Sequence, residues 1–196
     1  MRRFEEAFIF LAEGGDPAKR TVRESELVRT VHVPVPDPPA AAAVATELRA
    51  GGLDLIELYG GLGPREAAAV IDAAGGEVPV GLVGVEAHEV PRNRAVIFMG
   101  IGADPARDRY VHEHGDGRTT LVGIPDPDAA PAQAAALVNE GVEHIEICGG
   151  LGPLVAAAVM DEVGGRASVA SVMFGFESLP AVAAYRRRFE EALAGS

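Results

Sequence analysis

The chain has 196 residues, 48% of them hydrophobic and 23% charged, an ordinary globular composition with length for one good-sized core or two small ones. Its net charge of -12 disfavours phosphate backbones, so nucleic acid is not an expected partner. The single cysteine, Cys148, excludes an intramolecular disulfide and a thiolate zinc cluster, and Lys19 as the only lysine removes most Schiff-base chemistry.

No apolar run approaches the roughly 20 residues of a membrane helix, so no membrane partner is expected. Glu5 and Glu6 interrupt the basic start Met1-Arg2-Arg3 before any apolar stretch, which makes a poor signal peptide and points to a cytoplasmic protein. The basic cluster Arg186-Arg187-Arg188 precedes Glu190 and Glu191 and reads as a solvated helix face.

In chain order, a β-rich run at residues 7–11 leads into a polar loop and a second strand at 29–35. An alanine-rich helix opens after Pro36-Asp37-Pro38, with Asp37 as N-cap, and stops at Gly51-Gly52. A third strand, 53–59, runs into Gly60-Gly61-Leu62-Gly63-Pro64, which opens a second helix ending at Gly75-Gly76; a fourth strand follows at 78–85. The same order then returns. Strands at 95–99 and 119–124 precede a helix capped by Asp126 and closed at Gly141. A strand at 142–148 enters Gly149-Gly150-Leu151-Gly152-Pro153 and a helix closing at Gly164-Gly165; a strand at 168–174 and an extra helix over 180–193 finish the chain.

The two glycine motifs begin at 60 and 149, an offset of 89; Ala7-Phe8-Ile9-Phe10 matches Ala95-Val96-Ile97-Phe98 at an offset of 88. A period this long marks a duplicated half-domain or domain. The expected organisation is two α/β units of ββαβαβ pattern, residues 1–90 and 91–196, with mostly parallel strands and helical crossovers. Two architectures fit. In the preferred one, two half-barrels pair into one eight-stranded barrel; in the other, two small open doubly wound sheets pack together. The linker 86–94 has no helical pattern, awkward for a regular barrel, although about nine extended residues span roughly 30 Å.

Chemistry concentrates on the third strand of each unit. Alternation places Leu55, Glu57 and Tyr59 on one face, and His144, Glu146 and Cys148 on the matching face of the second copy. A carboxylate midway along an apolar strand is costly to bury unless paired, so Glu57 and Glu146 are either internal anchors or acid/base groups. Cys148 lies too far along the strand for direct contact with His144, and Tyr59 at the equivalent position argues against an obligatory thiol. The glycine turns, Gly60, Gly61 and Gly63 with their counterparts Gly149, Gly150 and Gly152, either satisfy tight backbone geometry or present N–H groups to an anion. They match neither a dinucleotide fingerprint nor a P-loop. The polar loop of the second unit holds His112-Glu113-His114, a candidate metal site with no histidine at the matching place in the first. His32 and His88 stand alone, the latter between Glu86 and Glu89.

At Ala7-Phe8-Ile9-Phe10, Ile56-Glu57-Leu58-Tyr59-Gly60-Gly61-Leu62-Gly63-Pro64 and Ile145-Glu146-Ile147-Cys148-Gly149-Gly150-Leu151-Gly152-Pro153, the chain resembles the bacterial domain family of unknown function numbered 6506, twice over nearly its whole length. The resemblance brings no activity. The Asp-x-His-Pro-Gly stretch common in that family reads Glu86-Ala87-His88-Glu89 in one unit and Gly175-Phe176-Glu177-Ser178 in the other. A weaker local likeness, to the start of 2-keto-3-deoxy-6-phosphogluconate aldolases, implies a barrel with Glu57 and Glu146 placed for proton transfer. It lacks the Schiff-base lysine, and Gly-Gly-Leu-Gly replaces that family's Arg-Thr turn.

The favoured reading is a small-molecule enzyme without cofactor, of isomerase, lyase or cyclase type. Glu57 or Glu146 acts as general acid/base and the glycine turns hold an anionic group. The site uses Glu57, Tyr59 and His88 in the first unit, or His144 and Glu146 in the second. The alternatives are a non-catalytic binding or structural protein and a metal-dependent enzyme using His112 and His114. The expected partners are a small-molecule ligand and, as an option, a second copy of the chain.

Overall fold

The structure is a computed structural model and describes residues 2–83, 91–115 and 117–194. It divides into two compact units, Met1–Ala87 with Met173–Ser196, and His88–Val172. The C-terminal segment therefore belongs in space with the first repeat, although it follows the second in sequence.

In the first unit the described residues form β1 (Phe4–Leu11), β2 (Thr21–Glu24), β3 (Val28–Val35), α1 (Pro38–Ala50), β4 (Leu55–Tyr59), α2 (Pro64–Ala73) and β5 (Val80–Leu82). The second unit repeats this with β6 (Asn93–Met99), β7 (Arg109–His114), β8 (Gly117–Ile124), α3 (Ala130–Asn139), β9 (His144–Cys148), α4 (Pro153–Val163) and β10 (Ser168–Ser171). The chain ends with β11 (Met173–Phe174) and α5 (Leu179–Ala194), both in the first unit.

The fold is α/β with two equivalent, mostly parallel sheets, and the sheets are open. Their strand orders are β11-β5-β4-β1-β3-β2 and β10-β9-β6-β8-β7. The pairing of half-barrels into one barrel is not formed. In the first unit β11 occupies the outer edge of β5, and β2 occupies the outer edge of β3, both antiparallel. In the second, β7 closes the outer edge of β8 in the same way. A parallel barrel needs those edges for its own strands. Strands β2 and β7 also replace the expected polar loops: short, charged edge strands carry little of the apolar alternation by which a strand is read.

Local chemistry explains the helices. Asp37 Oδ1 accepts from the Ala40 N–H at 2.9 Å, and prolines fill the first turn of α1. Asp126 does the same at the Ala129 N–H, 3.1 Å, over a 3₁₀ turn (Pro127–Ala129) that leads into α3. Gly164 ends α4 in the left-handed conformation that favours glycine. Ala41, Val44 and Ala45 of α1 and Ala67 and Val70 of α2 form one core with Ala7, Ile9, Val31, Val33, Ile56 and Leu58. Ala134 and Leu137 of α3 and Ala156, Val159 and Val163 of α4 meet Ala95, Ile97, Val122, Ile145 and Ile147 in the other. In each unit, therefore, both crossover helices lie on one face of the sheet. The opposite face carries buried polar residues, among them Thr30, His32 and Glu57 in the first unit and Arg94, His144 and Glu146 in the second.

Candidate functional site

Parallel register turns that second face into rows. In the first unit, Arg23, Thr30, Glu6 and Leu55 lie side by side across β2, β3, β1 and β4; the next row is Thr21, His32, Phe8, Glu57 and Gly81. In the second, His112, Thr119, Arg94, His144 and Ser168 form one row across all five strands. Tyr110, Leu121, Val96, Glu146 and Ala170 form the next. Duplicated backbones thus present different side chains at matched places. Glu6 becomes Arg94, Leu55 becomes His144, and Tyr59 becomes Cys148.

Glu57 is 2% exposed and its carboxylate accepts a hydrogen bond from the Tyr59 hydroxyl. The two side chains project from one strand face and bend together, a contact that strand spacing alone does not reveal. Glu6 lies one diagonal step from Glu57 on the neighbouring strand. Its carboxylate accepts from Thr30 Oγ1 at 3.1 Å and from the Tyr185 hydroxyl of α5. Burial pushes the Glu6 carboxyl up to about 7, with the charges of Glu57 and Asp54 adding to it; the Tyr185 and Thr30 hydrogen bonds oppose the shift. Burial and then the Glu6 charge hold the Tyr185 phenol above its ordinary range, so it acts as a donor.

Neither Glu6 nor Tyr185 stands out in the sequence as a site residue. Glu6 reads there as one of two charges ending a basic N-terminus, and Tyr185 lies at the far end of the chain. The period-two alternation that places Glu6 on the face of Phe8 and Phe10 was the available signal.

In the second unit, Glu146 is fully buried and His144 is 4% exposed. His144 Nε2 faces Glu146 Oε1 at 3.5 Å, and its Nδ1 meets Ser168 Oγ at 2.8 Å. Burial lowers the Arg94 guanidinium from its ordinary range while the adjacent Glu146 charge raises it. His112 and His114 share a strand face. Burial lowers the His112 imidazole, and His114 Nε2 meets Thr119 Oγ1 at 2.9 Å. Among the described residues no three His, Cys, Asp or Glu side chains converge as metal ligands. Cys148 is buried. His88 lies outside the described residues.

The glycine turns follow β4 and β9. Gly60 and Gly61 have φ of 69° and 90°, and Gly149 and Gly150 have φ of 62° and 83°. These left-handed values account for the glycine pairs. Gly149 also passes close to β6: a Cβ there would sit 2.9 Å from Met99 N. Gly63 and Gly152 cap the following helices. In the first unit Glu66 reaches back to accept from the Gly63 N–H at 3.0 Å, so the protein's own carboxylate occupies that donor. Val155 takes the matching place in the second unit.

Two cavities open elsewhere in the first unit. One, of about 440 Å³, is lined by Arg2, Arg3, Phe4, Asp54, Arg188, Glu191 and Ala192. The other, of about 350 Å³, shares Asp54 and Arg188. Asp54, with its side chain 5% exposed, pairs with Arg2 at 2.7 Å and with Arg188 of α5 at 3.1 Å. Glu57 lines neither cavity.

A family model matches residues 4–96 and again residues 92–187; it describes DUF6506, a family of unknown function. The chain belongs to this family, as a tandem pair. No curated protein matches it. Among solved structures, an NtrC family transcriptional regulator from Clostridium acetobutylicum is 12% identical, over 99% of this chain and 97% of that one, with a TM-score of 0.31. A carbohydrate transporter from Acidothermus cellulolyticus in complex with myo-inositol is 14% identical, over 87% and 74%, at 0.31. An arylmalonate decarboxylase is 17% identical, over 90% and 88%, at 0.32. Scores this low do not establish a shared architecture. For this DUF6506 pair, the aldolase likeness of the sequence gains nothing, since the barrel it implied is replaced by open sheets. Among the described residues, no helix is long and apolar enough to cross a membrane.

Proposed function

We propose that this protein is a small-molecule enzyme working by proton transfer without a cofactor, of isomerase, lyase or cyclase type. Glu57 is its general acid/base in the first unit, and Glu146 occupies the matching place in the second. One observation carries the reading: the Glu6 and Glu57 carboxyls stand one diagonal step apart on adjoining strands, where burial pushes Glu6 up to about 7. Two carboxyls in one apolar environment resist ionising together, and the resulting split supplies an acid and a base side by side. The Tyr59 hydroxyl, donating to Glu57, supplies a further proton carrier beside it. At Gly63 of the first unit Glu66 already takes one N–H, whereas Val155 at the matching place leaves the Gly152 end of the second unit without such a carboxylate.

A second reading, in which Glu57 and Glu146 are internal anchors of a binding or structural protein, draws on their near-complete burial. Proton exchange separates the two. In D₂O, a panel of small carbonyl compounds bearing carboxylate or phosphate is incubated with the protein and followed by proton NMR. The enzyme reading expects deuterium wash-in at the α-carbon of at least one compound, about 100-fold above buffer and lost in Glu57→Gln. No wash-in across the panel, with the Gly60 and Gly149 amide signals unmoved by any member, leaves the anchor reading.

A further inference from the structure

We propose that Ser168 is a nucleophile, activated by His144 and backed by Glu146, and that the second unit can transfer acyl groups from small esters. This site stands apart from the proton-transfer reading of Glu57. Its three residues lie on adjoining strands of one sheet face and grade from solvent to core. Ser168 is exposed at the start of β10, His144 is 4% exposed, and Glu146 is fully buried. Ser168 Oγ lies 2.8 Å from His144 Nδ1, closer than its other acceptor, Glu143 O, at 3.4 Å. The far ring nitrogen, Nε2, is buried without a hydrogen bond and faces Glu146 Oε1 at 3.5 Å. That is the order a hydroxyl nucleophile needs: a base within reach, and behind the base a carboxylate to hold its tautomer and meet its charge. Such contacts tighten when the base takes its proton.

The strand supplies a further element. The Ser168 and Val172 N–H groups bond to Glu143 O, just before β9, and to Ile147 O of β9, both at 3.0 Å. Strand alternation therefore turns the Val169 N–H to the outer side of this edge strand. The N–H of the residue after a nucleophile is a recurrent donor to a developing oxyanion. The first unit has Pro79 and Leu55 at the places of Ser168 and His144, so only the second copy can carry this arrangement.

In the reaction, Ser168 Oγ attacks the ester carbonyl carbon and forms a C–O bond while its proton passes to His144 Nδ1. Collapse of the intermediate breaks the bond to the alcohol, which leaves with that proton, and the acyl group stays on Ser168. Water, giving a proton to the same nitrogen, releases the acid and restores the serine.

Labelling of the full chain with a fluorophosphonate, which bonds phosphorus to the serine oxygen and expels fluoride, is read by peptide mass spectrometry. The expected adduct is on Ser168. It is absent in Ser168→Ala, whose exposed position leaves the fold intact, and slowed about 100-fold in His144→Ala. A Ser168→Cys variant keeps the test independent of how His144→Ala folds: its thiol should react with iodoacetamide at pH 7 about 10-fold faster than glutathione. An unlabelled Ser168, labelling unchanged in a folded His144→Ala, or a Ser168→Cys thiol no faster than glutathione would each overturn the assignment.

Discussion

The two units carry a glutamate at the same place on the same strand and surround it with opposite electrostatics. Glu57 of the first has a second carboxyl, Glu6, one diagonal step away; Glu146 of the second has the guanidinium of Arg94 there. The helix-facing cores of the two copies are close to interchangeable, and the other sheet face is where they diverge. A strand glutamate kept in both copies thus sits in two settings: beside a second carboxyl in the first unit and beside a guanidinium in the second. Duplication preserved the frame and left the neighbour of the glutamate to set its role.

Removing that neighbour in each unit is expected to have opposite effects. Arg94→Met strips the buried Glu146 of its adjacent cation and is expected to cost about 3 kcal/mol, read by urea unfolding. Glu6→Gln is expected to act in the opposite direction at alkaline pH. The folded-state value of Glu6 is raised, so its stabilisation is complete below the unfolded value near 4.5 and is lost as pH climbs through about 7. Wild-type stability should therefore fall between pH 4.5 and 7. Glu6→Gln should flatten that slope and be the more stable protein at pH 8, by at most about 3 kcal/mol. Destabilisation by Glu6→Gln at pH 8 would remove the contrast.

A smaller effect separates the matched residues before β4 and β9. Asp54 is buried under Arg2 and Arg188, whereas Glu143 at the same place is exposed. Asp54→Ala should cost about 2 kcal/mol and Glu143→Ala within about 0.5 kcal/mol, by thermal melting at fixed pH. The glycine turn gives a graded pair. Gly149→Ala meets β6 backbone as well as a left-handed φ, and should cost more than Gly150→Ala, which meets only Met99 Cε at 3.7 Å and should lose about 1 kcal/mol. Smallest of all, Glu66→Ala removes the carboxylate from Gly63 and should cost about 0.5 kcal/mol, with no counterpart in the second unit.

Much of this was legible in the chain itself. The repeat, the Asp37 and Asp126 caps and the glycine turns all follow from local pattern, because capping and left-handed turns are settled within a few residues. The face shared by Glu57 and Tyr59 follows from strand alternation. Strand order is a long-range property, and local pattern left barrel and open sheets both standing. Strands β2 and β7 were hidden by their charged edge composition. The approach of Tyr185 to Glu6 joins residues 179 positions apart and leaves no local trace. Ser168 carries no sign in the sequence, because a serine at a strand start is ordinary until its cross-strand neighbour is known to be His144.

The central quantity is the proton that burial, with the nearby Glu57 charge, holds on the Glu6 carboxyl. Carbon-detected NMR titration of the glutamate side-chain carboxyls measures it. Glu6 is expected to titrate with an apparent value near 7 and to move down, without reaching 4.5, when Glu57→Gln removes the neighbouring charge. A Glu6 carboxyl that titrates near 4.5 in the wild-type protein, or one indifferent to Glu57→Gln, would contradict it.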